Sequence, residues 1–237
     1  MSSGIYIATA GAVAQSNALD ATANNIANAA TTGFHGDRVT FREALSAARS
    51  PDVATVGAGT TRIDGQAGAL QGTENPLDLA LEGDGYFGVA TPGGPRYTRA
   101  GNFQLDDTRA LVTADGFHVR GEGGAAITIP PEAKVVAVAA DGTVSADGEP
   151  VGKLELVRFA PGAVQRQGGT LFAATGRPQP GDPPKVRSGM LEASNVNVVR
   201  GVVDLVKVSR TYESLMRVIQ GYHDIESRAA RELGTPK

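Results

Sequence analysis

Two helical stripes bracket the chain, and a run of alternating strands lies between them. Val198, Gly201, Leu205, Val208, Tyr212, Leu215, Ile219, Tyr222, Glu226, Ala229 and Leu233 step by three and four residues in strict alternation, and all but Gly201 and Glu226 are apolar. That spacing keeps one face of a long helix turned toward a partner. Arg200, Asp204, Lys207, Arg210, Glu213 and Arg217 fall between the stripe positions and suit the wet side. A stripe of this length needs another long helix, from the same chain or from another copy. Near the N-terminus, Ile5, Thr9, Ala12, Ser16, Leu19, Ala23, Ile26 and Ala30 repeat the alternation with mostly small residues. Small residues allow close approach but, at about 25 cal/mol per Å² of apolar surface, bury little. The first helix, predicted over residues 3–30, therefore depends on the C-terminal helix or on further copies. Thr31-Thr32-Gly33 marks its end, where glycine can take a left-handed cap. Asn24, Asn25 and Asn28 sit inside it against helix propensity, as residues do that make polar contacts across a helix interface.

The middle of the chain reads differently. Residues 37–48 predict a second short helix, and 50–72, rich in Gly, Thr and Ala without period, an extended connector. From Pro76 the period becomes two, through Leu77, Leu79 and Leu81, then Tyr86-Phe87-Gly88-Val89, then Tyr97-Thr98. Asp115-Gly116 and Asp141-Gly142 read as type I′ hairpin turns, with Asp147-Gly148 a third turn. Pro178, Pro180, Pro183 and Pro184 stiffen the return to the last helix. The predicted fold class is α+β. A helical domain over 1–48 and 187–237, with the two ends pairing in a coiled-coil-like way, flanks a connector at 49–75 and an all-antiparallel β domain at 76–186.

Composition narrows the function. A chain of 237 residues with 41% hydrophobic and 20% charged residues is long and apolar enough for a real core. Its net charge of −3 gives no electrostatic case for nucleic acid. The absence of cysteine excludes disulfides and thiolate chemistry. The first basic residue is Arg38, so no cleaved secretory signal is expected. The most apolar run, 196–208, is interrupted by Arg200, Asp204 and Lys207, which argues against direct membrane insertion.

Motifs that suggest chemistry do not add up to an enzyme. Gly83-Asp84-Gly85-Tyr86-Phe87-Gly88 matches the dinucleotide fingerprint, with Asp106 downstream, but Val89 to Pro95 cannot form the helix that would meet the pyrophosphate. His35, His118 and His223 fall in three different elements without metal-ligand spacing. Asp84, Asp106, Asp107 and Asp115 are compatible with a carboxylate pair of the glycosidase kind, but turn chemistry accounts for them more simply. Ser194 and Ser209 have no credible histidine partner. No catalytic residue, cofactor site or metal site is expected.

Several stretches together resemble the flagellar rod and hook proteins. They are Asn24-Asn25-Ile26-Ala27-Asn28 with Thr32-Gly33-Phe34, Asn75-Pro76-Leu77-Asp78-Leu79-Ala80 leading into Gly83-Asp84-Gly85-Tyr86-Phe87, and Tyr97-Thr98-Arg99-Ala100-Gly101-Asn102-Phe103. Leu111-Val112-Thr113-Ala114-Asp115-Gly116 continues the pattern, and Gly189-Met190-Leu191-Glu192-Ala193-Ser194-Asn195-Val196-Asn197 opens the last helix, followed by Arg210, Tyr212 and Ile219. The short length and the ending Ser227-Arg228-Ala229-Ala230-Arg231-Glu232-Leu233 are most similar to the proximal-rod branch, with the distal rod or hook as the alternative. His35 departs from the family, which commonly has lysine there.

The resemblance implies a non-enzymatic axial subunit of the periplasmic basal-body rod. It would be exported by the flagellar type III apparatus without a cleaved leader, and would assemble with copies of itself and other rod proteins. Helices would pack inside and β domains form the outer wall. The expected subunit interface is Ile5, Ala12, Leu19, Asn24, Asn25, Ile26, Asn28, Leu205, Val208, Tyr212, Leu215, Ile219 and Tyr222. From the residues alone, two other readings stand beside this one: a monomeric extracytoplasmic binding module, and a hydrolase using the Asp-rich turns.

Overall fold

The computed structural model describes residues 3–45 and 54–233. It is an α+β protein with a helix at each end and a β-rich middle: α1 spans Ser3–Ala27 and α2 spans Val198–Leu233. The chain divides into two compact units. One comprises α1, Asp37–Arg62 and α2, and the other Asn28–Gly36 and Ile63–Val196. Segment 37–62 thus belongs with the helices, and 187–196 with the strands.

The helix predicted over 37–48 is a strand, Asp37–Leu45, and within the expected connector Ala54–Ile63 is the strand that pairs with it. Residues 46–53 lie outside the described residues. The reason is local: Val39, Thr40 and Phe41 favour extended backbone, and so do Thr55, Val56, Thr60, Thr61 and Ile63 in the partner strand.

In the helical unit, α2 opens at Asn197, whose Oδ1 accepts the Arg200 N–H at 3.0 Å while its carbonyl accepts the Gly201 N–H at 2.9 Å. This is an N-cap that satisfies donors the helix itself cannot. α1 and α2 run antiparallel side by side. A Cβ placed on Gly4 would come within 2.6 Å of the Tyr222 hydroxyl, one on Gly11 within 3.3 Å of Leu215 Cδ1, and one on Gly201 within 3.0 Å of Ile26 Cγ1. At each of these points a glycine of one helix faces a large side chain of the other. Ala8, Ala12, Ala14 and Ala18 are buried along α1. The expected N-terminal stripe is covered in part: Ala12 is buried and Ile5, Ser16, Leu19 and Ile26 are half-buried, whereas Thr9, Ala23 and Ala30 are exposed, and Gly4, Ala8, Gly11 and Ala18 share the covered side. A count of apolar positions passes over glycines, yet these are the residues that let α2 approach.

The β unit is antiparallel in every pairing. Its largest sheet has eight strands, ordered Val164–Arg166, Leu171–Ala174, Gly94–Thr98, Tyr86–Thr91, His118–Val119, Leu111–Val112 and Gln104–Leu105, with Leu156–Val157 also on Tyr86–Thr91. A three-stranded sheet joins Val136–Val138, Thr143–Ala146 and Glu149–Lys153. Two short pairs join distant parts of the chain: Leu79–Glu82 with Lys185–Ser188, and Leu70–Gly72 with Met190–Glu192. One core fills the unit, with Leu79, Phe87, Leu111, Val119, Ile129, Val144 and Leu154 all buried, and Phe87 meets Phe103 edge-on at 5.1 Å.

The hairpin turns are a partial correction. Type I′ geometry needs positive φ at both central residues. Asp147 and Gly148 have it, at 50° and 91°. At the two earlier sites only the glycines do, Gly116 at 81° and Gly142 at 87°, so these are longer loops closed by Gly116 N–H to the Thr113 carbonyl and Gly142 N–H to the Ala139 carbonyl.

Candidate functional site

The surface with the strongest sequence signal is the α1–α2 pair. Gly201, Leu205, Val208, Tyr212, Leu215, Ile219 and Tyr222 are half-buried on the face of α2 that carries Leu215 and Tyr222 to α1. The side chains of Ala229 and Leu233 lie outside those described, and Glu226 is exposed. On α1, Ala12 is buried and Ile5, Leu19 and Ile26 are half-buried. The stripe of α2 is thus met, at least in part, by a helix of its own chain. Leu19 also joins Leu205, Val206, Ser209, Arg210 and Glu213 in lining a groove along the pair. A second apolar face of α2 stays open: Val199 is 78% exposed, and Val202, Val203 and Val206 are each nearly half exposed.

The expected interface asparagines take separate places. Asn25 exchanges two hydrogen bonds with the backbone of Asp37, its Nδ2 donating to the carbonyl at 2.8 Å and its Oδ1 accepting the N–H at 2.7 Å. In effect the side chain imitates a neighbouring strand. Asn28 accepts the Thr31 hydroxyl at 3.1 Å, and Asn24 is exposed.

Sequence reasoning assigned no role to the buried polar cluster of the β unit. His35, Arg99 and Glu192 are 2%, 3% and 0% exposed. Glu192 Oε1 accepts from His35 Nε2 at 2.8 Å and from the Gly68 N–H at 2.9 Å, while Oε2 accepts from Arg99 Nη1 at 3.1 Å. Burial pushes the Glu192 carboxyl up, but the His35 bond, the Arg99 charge and the Gly68 N–H outweigh it and hold the group below its ordinary value. Arg99 also donates to the Gly83 carbonyl at 2.7 Å, and Arg166 donates to the His35 carbonyl while lying 4.4 Å over the Phe34 ring. Around this cluster the chain segments 33–36 and 192–195 are knitted together. Gly33 N–H donates to the Glu192 carbonyl, Asn195 N–H to the Phe34 carbonyl, and Gly36 N–H to Asn195 Oδ1 at 2.7 Å.

The tempting motifs are structural. Gly83 and Gly85 lead into the strand Tyr86–Thr91, with no helix for a pyrophosphate. Asp106 accepts from Thr108 Oγ1, Thr108 N–H and Ala110 N–H, and the hydroxyl bond foremost lowers its carboxyl. It is a turn residue. Asp84, Asp107 and Asp115 are exposed, as are His118 and His223. Among the described residues no cluster has the makings of a metal site, and no helix is long and apolar enough to cross a membrane.

Three separate parts of the chain match known families. Residues 5–35 match the flagella basal body rod protein family, 80–146 the flagellar hook protein FlgE/F/G D1 domain, and 187–232 the flagellar basal body rod FlgEFG protein C-terminal. The chain is 32% identical over 239 residues to the flagellar basal-body rod protein FlgF of Rhizobium meliloti, covering 99% of each. It is 38% identical over 247 residues to FlgF of Salmonella typhimurium, covering 97% of each. It is also 37% identical over 231 residues to the rod protein FlgG of Bacillus subtilis, covering 85% of this chain and 88% of that one. End helices around a β unit, with these matches along their length, define the axial proteins of the flagellar rod and hook. The chain belongs to the flagellar basal-body rod protein family, and its likeness over nearly full length is to FlgF rod proteins.

Proposed function

We propose that this chain is a proximal-rod subunit that carries torque through its terminal helices. The observation that carries the reading is the face of α2 left open beside α1: Val199, Val202, Val203 and Val206 form an apolar strip on a helix that already has one partner. A helix with two apolar faces can bind its own α1 and a neighbouring subunit at once. Neighbours, in this reading, are copies of the chain and other rod proteins, added by heterologous contacts that do not close on themselves. The helix contacts would take on a coiled-coil-like form in the rod. Its work is mechanical and needs no catalytic group. Export through the flagellar type III apparatus without a cleaved leader belongs to the same proposal.

The test is genetic and structural together. Deleting the gene should remove rod, hook and filament from basal bodies seen by electron microscopy and abolish swimming. The full chain should restore both, and the Val202→Asp/Val206→Asp double variant should not. An intact flagellum in the deletion strain would overturn the rod reading. Normal swimming with the double variant would overturn the role of the valine strip.

A further inference from the structure

Both ring nitrogens of His35 face acceptors. Nε2 lies 2.8 Å from Glu192 Oε1, and Nδ1 lies 3.1 Å from the Asp64 carbonyl oxygen. A neutral imidazole carries one N–H and would leave its bare nitrogen against one of these oxygens. The carboxyl does not supply the missing proton, because the Arg99 guanidinium and the Gly68 N–H hold it below its ordinary value and hence ionised. With the site buried, an acceptor set against an acceptor is costly.

We propose that the folded chain holds His35 as the doubly protonated imidazolium, a proton-dependent clasp that ties residues 33–36 to Glu192 and Asp64. Two cations, His35 and Arg99, then flank the buried Glu192 carboxylate, and the Asp64 carbonyl satisfies the remaining N–H. Arg166, from the strand Val164–Arg166, is bound to the His35 carbonyl rather than the ring. The Asp64 carboxylate accepts the Gln66 N–H at 3.2 Å, and Tyr86 lies under Arg99 with 5.7 Å between the guanidinium carbon and the ring centre. This inference stands independently of the rod reading.

The experiment is long-range ¹H–¹⁵N correlation on the labelled full chain near pH 7, with exposed His118 and His223 as internal references. Both His35 ring nitrogens should report as protonated. One protonated and one bare nitrogen would overturn the proposal.

Discussion

At the scale of single residues, Glu192 bears the heaviest demand. It is fully buried, and its charge is tolerated only because His35, Arg99 and Gly68 N–H surround it. Removing one member of such a group leaves the others uncompensated, at a cost of about 3–5 kcal/mol. Glu192→Gln is therefore expected to lose about that much in urea unfolding, with the β unit affected first. The same residue sets the acid limit. Its folded carboxyl is held below the ordinary value, so its contribution is present above about pH 4.3, where a free glutamate ionises, and is lost as pH falls through the depressed value. Acid titration of stability should show this loss in the native chain and not in Glu192→Gln. Gly101 poses a different constraint: a Cβ there would collide with the Leu79 carbonyl. Gly101→Ala must move backbone, and is expected to lower the melting temperature although it adds only a methyl group.

At the scale of elements, the helix pair rests on small residues opposite large ones. Leu215 lies against Gly11, where an aspartate would replace an apolar contact between the helices with a charge. Leu215→Asp is expected to reduce the far-ultraviolet helical signal and abolish motility while leaving the β unit folded. Retained swimming would count against a working role for this stripe. The cap at Asn197 is a milder lever. Asn197→Ala should cost about 1 kcal/mol, the ordinary loss for an N-cap, and should be read as a small fall in helicity. The pair Asp37–Leu45 and Ala54–Ile63 shows how a short segment is decided: the β-branched residues favour a strand, and the neighbouring strand supplies the hydrogen bonds that an isolated helix would have made internally.

At the scale of the whole molecule, the two units have different sources of stability. The β unit has one continuous core of aromatic and aliphatic side chains around Phe87, whereas the helical unit buries mostly alanine along α1. Phe87→Ala should cost the β unit about 3–5 kcal/mol, the usual range for emptying a buried aromatic site. Calorimetry should register that loss in the β transition and leave the helical signal at lower temperature unchanged.

The sequence by itself determined the elements whose signal is periodic and made of large apolar residues. The stripe of α2, the alternation from Leu77 to Leu81 and the glycine turns are all readable because burial of such residues dominates the local choice. The family was readable too, since its motifs run the length of the chain. Only the tertiary structure decided which face of α1 is covered, because glycine and alanine carry little hydrophobic signal and matter through the space they leave. It alone showed Asn25 to be a backbone strut, since an asparagine in a helix gives no sign of which backbone it will meet. It alone assembled the buried cluster as well, where Glu192 stands 157 residues from His35 and 93 from Arg99. A charged residue in a sequence looks solvated by default, and only the folded packing that removes water shows which charges must find one another.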